Sequence, residues 1–154
     1  KKLPITTVRP FHVYGPYEDI KRLIPNLLLN LIEGKMIKLV SPKISRDMIY
    51  IDDCIDLYIK IAINNNDYGS VYNMGSGKSY TIKRIVEIAQ RHTKTNLILK
   101  PKWNSMGNRS WDQEIWQSNM SYVEEKLKWK NKISLDAGIK KTYLWLKQNK
   151  KLYK

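Results

Sequence analysis

Leu3-Pro4-Ile5-Thr6-Thr7-Val8-Arg9-Pro10-Phe11-His12-Val13-Tyr14-Gly15-Pro16 passes from a strand into a loop within a few residues. The β-branched side chains of Ile5, Thr6, Thr7 and Val8 predict a buried strand over Leu3 to Arg9, and Gly15-Pro16 breaks it. From Ile20 to Glu33, the residues Leu23, Ile24, Leu27, Leu28, Leu31 and Ile32 recur at helical spacing, and Gly34 is placed to end that helix. Strand, loop and helix form the repeating unit of an α/β fold.

The rest of the chain continues that alternation. Met36 to Val40 and Met48 to Ile51 are strand candidates, and Asp52 is placed to cap a helix reaching about Asn64. Ser70 to Met74 reads as a strand, turned by Gly75-Ser76-Gly77. Thr81 then caps a helix to about His92, with Ile85, Ile88 and Ala89 along its apolar stripe. Asn96 to Lys100 reads as a strand, residues 101–118 as irregular and Ser121 to Leu127 as a short helix. The last helix runs from about Ser134 to Asn149, with Leu135, Ile139, Leu144 and Leu146 apolar. A buried parallel strand needs neighbours and crossover helices, and no βαβ unit precedes Leu3. The pattern therefore predicts that part of the sheet lies outside this chain.

Composition narrows the function classes. The chain has 154 residues, 42% of them hydrophobic, which suits one domain with a modest core. No run approaches the roughly 20 apolar residues of a membrane span, and residues 1–10 hold no apolar leader core. Cys54 is the single cysteine, so no internal disulfide is possible, and a cytoplasmic location is expected. The formal net charge of +14 raises the question of nucleic acid. The excess is lysine, scattered along the chain and accompanied by abundant Asn, a pairing that AT-rich codons produce, so solvated faces are the preferred reading. The same positive field still attracts a diphosphate.

Three stretches in order resemble the extended short-chain dehydrogenase/reductase family of NAD(P)-dependent sugar-nucleotide epimerases and dehydratases. They are the opening segment, Ser45-Arg46-Asp47-Met48-Ile49-Tyr50-Ile51-Asp52-Asp53, and Val71-Tyr72-Asn73-Met74-Gly75-Ser76-Gly77. Leu127-Lys128-Trp129 followed by Ser134-Leu135-Asp136-Ala137-Gly138-Ile139 is similar to the family's closing segment. The resemblance implies the last strands of a doubly wound Rossmann-type sheet plus a small mixed α/β substrate-binding lobe. It also implies that residues 1–154 are the carboxy-terminal substrate-binding portion, with the amino-terminal dinucleotide-binding half absent. In the family that half carries the glycine-rich phosphate loop and the catalytic Tyr-x-x-x-Lys. No catalytic residue is therefore assigned here, and NAD or NADP is expected in the complete enzyme but not on this chain alone.

The resemblance also implies roles for particular residues. Arg46 is placed to grip the diphosphate of a nucleoside-diphosphate sugar, which suits the planar donor fork of a guanidinium; pairing with Asp47 or Asp53 is the structural alternative. Arg109 occupies the place of a second phosphate-contacting Arg. His12 stands where relatives often carry Asn, beside cofactor and substrate. The Pro10 to Val13 backbone would flank the nicotinamide, and Leu23 and Leu39 would flank the nucleotide. Trp103, Trp111 and Trp116 crowd one region, where aromatic rings either stack on a base or ring or form a satellite hydrophobic cluster.

Several motifs are set aside. Tyr17/Lys21, Tyr122/Lys126 and Tyr143/Lys147 match Tyr-x-x-x-Lys as chance products of a Tyr- and Lys-rich chain. Gly77-Lys78-Ser79 lacks the earlier glycine of a P-loop, because position 72 is Tyr72. Asp47 is read as structural, Asp52 and Asp53 as a helix start, and no metal site is assigned. A cut sheet exposes an edge, so homo-oligomerisation or docking of the missing half is expected. A non-catalytic binding module is the rival reading.

Overall fold

A computed structural model of the chain describes residues 3–64, 67–94, 101–105 and 113–153. In order it contains β1 (Thr7–Pro10), β2 (His12–Tyr14), α1 (Leu23–Glu33), β3 (Ser45–Tyr50), α2 (Ile51–Ile63) and β4 (Val71–Met74). Then follow β5 (Ser79–Thr81), α3 (Ile82–Thr93), β6 (Ile115–Trp116), α4 (Ser121–Leu127), α5 (Leu135–Asn149) and a closing 3-10 turn, Lys150–Tyr153. The architecture is a parallel, doubly wound α/β sheet with flanking helices and a smaller mixed lobe.

β1 lies parallel to β4, with Thr7 opposite Val71 and Pro10 opposite Met74. The second sheet is built on β3. β2 runs parallel to it with His12 opposite Met48, β5 runs antiparallel with Arg46 opposite Tyr80, and β6 runs parallel with Arg46 opposite Trp116. β3 is buried along its whole length. Its period of two divides the molecule into two cores. Met48 and Tyr50 join a cluster with α1, α3 and α5. Ile49 joins Cys54, Leu57, Tyr72, Met74, Val123 and Trp129 in the other.

The helix ends follow local chemistry. Gly34 takes φ 66° and its N–H returns to Asn30 and Leu31, closing α1 in the left-handed turn that glycine adopts without strain. Thr81 Oγ1 accepts from Arg84 N at 3.1 Å, and Ser134 Oγ accepts from Ala137 N at 3.2 Å, so α3 and α5 have side-chain N-caps. Gly138 is required by close packing, since a Cβ there would overlap the Tyr14 hydroxyl and lie 2.8 Å from its Cζ.

Four expectations need correction. The opening strand is shorter than Leu3 to Arg9 and it is not buried: Leu3 is 62% and Ile5 55% exposed, because β1 pairs only with β4 among the described residues. Met36 to Val40 forms no strand; a single bridge joins Lys38 to Lys102, although Ile37 and Leu39 are buried. Asp52 does not cap α2. Tyr50 is the N-cap residue, and Asp52 and Asp53 sit in the first turn, where their charge still favours the helix dipole. Residues 101–118, read as irregular, include the short strand β6 (Ile115–Trp116). The strand expected over Asn96 to Lys100 lies outside the described residues.

Candidate functional site

Arg46 lies near the start of β3, only 8% exposed, with Nη1 donating to the Ser45 carbonyl and the Gln113 carbonyl, both at 2.9 Å. Two carbonyls thus fix the guanidinium against the sheet. The strand pairings put Met48, His12 and Trp116 on the same sheet face as Arg46. The His12 ring stands edge-on to Trp116 at 5.9 Å, and Phe11 meets the same indole at 6.5 Å. Trp116 is 46% exposed, so an aromatic face borders the buried cation. This combination offers charge and stacking to a ligand that carries phosphate and a ring.

Asp47, the next residue, holds the frame together. It is fully buried, and its Oδ1 accepts from Ser76 N at 2.7 Å and Ser76 Oγ at 2.6 Å. Its Oδ2 accepts from Gly77 N and Ser118 N, both at 3.0 Å, and from Ser118 Oγ. Gln117 adds a bond to the Gly77 carbonyl at 2.7 Å. One carboxylate therefore ties the turn after β4 to the segment after β6, which carries Trp116 into place. Gly75 permits this, because a Cβ there would overlap Ser118 Oγ and lie 2.8 Å from Asp47 Oδ2. An open recess of about 460 Å³ lies alongside, lined by Gly77, Gln117 to Ser121 and Glu124.

Asp53 is buried too, and accepts from the backbone N–H groups of Lys132 and Ile133, the latter at 2.9 Å. Both carboxylates offered as alternatives for Arg46 thus have clear structural employment. Asp56 accepts from Trp129 Nε1 at 2.6 Å, and that bond is the first cause of its lowered pKa. Burial pushes the Cys54 thiol up to about 12, with Asp53 adding to it, so Cys54 is no nucleophile at neutral pH.

The other candidates separate. Leu39 is 5% exposed and lies within the first core, with its backbone bonded to Lys102 and Ser105. Leu23 is half-buried against that core. Pro10 is exposed at the end of β1 and Val13 is half-buried within β2. Arg109 and Trp111 lie outside the described residues. Sequence reasoning overlooked the grip of Ser76 and Ser118 on Asp47, for which their separation along the chain leaves no signal. Tyr17 belongs to no helix, so Tyr17/Lys21 lacks the geometry of a Tyr-x-x-x-Lys pair; the Tyr122 hydroxyl donates to Asp67 at 3.0 Å.

Residues 1–75 match the model of the NAD dependent epimerase/dehydratase family. The chain is 32% identical over 155 residues to a UDP-glucuronate 4-epimerase of Thermodesulfobacterium geofontis, covering 99% of this chain and 46% of that protein. It is 30% identical over 133 residues to a CDP-abequose synthase of Salmonella muenchen, covering 84% of this chain and 44% of that one. By these matches the chain resembles members of the NAD-dependent epimerase/dehydratase superfamily. It spans less than half the length of each of these two relatives.

Solved structures of the superfamily share its fold. A Thermotoga maritima UDP-glucose 4-epimerase with UDP-glucose superposes with a TM-score of 0.84 at 22% identity, over 94% of this chain and 46% of that one. A Bacillus anthracis dTDP-glucose 4,6-dehydratase in complex with NAD gives 0.86 at 23%, over 98% of this chain and 47% of that one. The glycine-bearing turn after β4 has no free N–H groups at Ser76 and Gly77 for a phosphate, since both are bonded to Asp47. That turn leads into β5 rather than directly into a helix. Among the described residues no helix is long and apolar enough to cross a membrane.

Proposed function

We propose that this chain is the nucleotide-sugar-binding portion of an NAD(P)-dependent epimerase or dehydratase, acting in the cytoplasm. On this reading Arg46 engages the diphosphate, with Arg109 as its second cation. His12 and Trp116 border the sugar and nucleotide, Leu23 and Leu39 shape the lobe behind them, and Trp111 adds to the aromatic wall. The observation that carries the reading is the buried Arg46, held by two carbonyls beside a half-exposed indole. A guanidinium oriented before the ligand arrives loses less freedom on binding. Pro10 and Val13 would border the nicotinamide when a dinucleotide-binding half docks along β1. That half, supplied by another polypeptide segment, would bring NAD or NADP and the catalytic Tyr-x-x-x-Lys; the chain's own contribution is to bind and orient the sugar nucleotide.

The test is dinucleotide content. The purified chain, denatured and assayed for released NAD(P), is expected to yield none. The same chain should protect itself against heat when a nucleoside-diphosphate sugar is added. Stoichiometric dinucleotide in the isolated chain would overturn the division of labour.

A further inference from the structure

The aromatic wall beside Arg46 is seated by polar groups and not by its own burial. β6 is two residues long and both are open to solvent, with Ile115 65% and Trp116 46% exposed. Neither belongs to the two cores formed by the described residues. The Phe11 and His12 rings each stand at 87° to the Trp116 indole, so neither lies flat on it. A segment that buries so little apolar surface gains little hydrophobic hold.

Hydrogen bonds on either side of Trp116 supply the hold instead. Before it, Ser45 N donates to the Glu114 carbonyl at 2.6 Å, and Arg46 Nη1 donates to the Gln113 carbonyl at 2.9 Å. After it, Gln117 Nε2 donates to the Gly77 carbonyl at 2.7 Å, and Gln117 Oε1 accepts from Ser79 Oγ at 3.2 Å. Ser118 gives both its N–H and its hydroxyl to the buried Asp47 carboxylate, and the same hydroxyl accepts from Gly77 N at 3.3 Å. Polar anchors of this kind fix the backbone without covering the ring. They keep an apolar ring in view at the position paired with Arg46 on β3, an arrangement that serves a ligand and gains the free protein little.

We propose that Ser118 and Gln117 are positioning residues for the ring-bearing part of the ligand. Ser118 acts through Asp47, and Gln117 acts through the turn after β4. Together they hold the Trp116 indole beside Arg46, so that one molecule meets the cation and the aromatic ring at once. The ligand class that gains from this is a ring joined to a pyrophosphate; a bare pyrophosphate gains nothing from it. The role rests on the nucleotide-sugar reading of Arg46 and Trp116.

Calorimetric titration of the full chain with UDP, dTDP and inorganic pyrophosphate tests it. Ser118→Ala, Gln117→Ala, Trp116→Leu and the double variant Trp116→Leu/Ser118→Ala are compared with wild type after circular dichroism has shown each to be folded. Gln117 is exposed, so its variant carries the test should Ser118→Ala fail to fold. Ser118→Ala and Gln117→Ala are each expected to weaken the nucleoside diphosphates by about three- to tenfold, part of what an aromatic stack contributes, while pyrophosphate stays within about twofold. Trp116→Leu should weaken the nucleoside diphosphates at least as far, and adding Ser118→Ala to it should cost nothing more, because the serine acts only through the indole. Unchanged nucleoside diphosphate affinity in both single variants would overturn the positioning role. So would an equal loss for pyrophosphate, which would place the effect at Arg46, or full additivity in the double variant. A folded wild type that binds neither nucleoside diphosphate nor pyrophosphate would instead overturn the nucleotide-sugar reading, and the positioning role with it.

Discussion

At the residue scale, two neighbours on one strand do opposite things. Arg46 faces a half-exposed indole and is read as the ligand's cation, whereas Asp47 is fully enclosed and employed by two distant segments. Replacing Asp47 by Asn keeps the volume but sets an amide donor against N–H and O–H donors. Asp47→Asn is expected to lower unfolding stability by about 2–4 kcal/mol in urea titrations. Gly138→Ala would stabilise an unpacked helix by up to about 1 kcal/mol, yet here its methyl meets Tyr14. A net loss of about 1–3 kcal/mol is expected instead, and a variant at least as stable as the parent would show that α5 shifts to make room.

At the scale of elements, α3 and α5 carry the strongest local signals. Thr81→Ala and Ser134→Ala each remove a side-chain cap and should each cost about 1 kcal/mol, measured by thermal unfolding. The Thr81 cap was legible in the sequence because capping is a short-range affair. So were α1 with its Gly34 stop, and β4 with its turn. The mis-set elements were those decided at long range. Leu3 to Arg9 reads as buried from its β-branched residues, but burial depends on what lies on either side of β1. Met36 to Val40 has strand composition, yet only Lys38 finds a bridging partner. Asp52 has the right chemistry for a cap, but the pairing of β3 with β2 reaches Tyr50 and leaves that residue at the helix boundary. In the candidate site, motif resemblance is what singled out Arg46 and His12. The supporting bonds from Ser76 and Ser118 were not legible, because no spacing rule links residues brought together only by the fold.

At the scale of the whole molecule, several apolar side chains are exposed around β1 and along α2. Leu3 and Ile5 lie before β1, Val71 is in the β4 paired with it, and Ile55, Ile59 and Ile63 recur along α2. A free strand edge with apolar surroundings favours association. Sedimentation of the isolated chain is expected to show concentration-dependent oligomers, and a monodisperse monomer up to high concentration would argue against this. The central claim is that the charge of Arg46 receives a diphosphate. Calorimetric titration of the chain with UDP- and dTDP-linked sugars tests it most directly, comparing wild type with Arg46→Lys after circular dichroism has shown that both are folded. The account predicts saturable binding to the wild type, weakened at least about tenfold by the substitution, since an ammonium cannot reproduce the two-pronged grip. Equal affinity in the two proteins, or no saturable binding by the folded wild type, would contradict it.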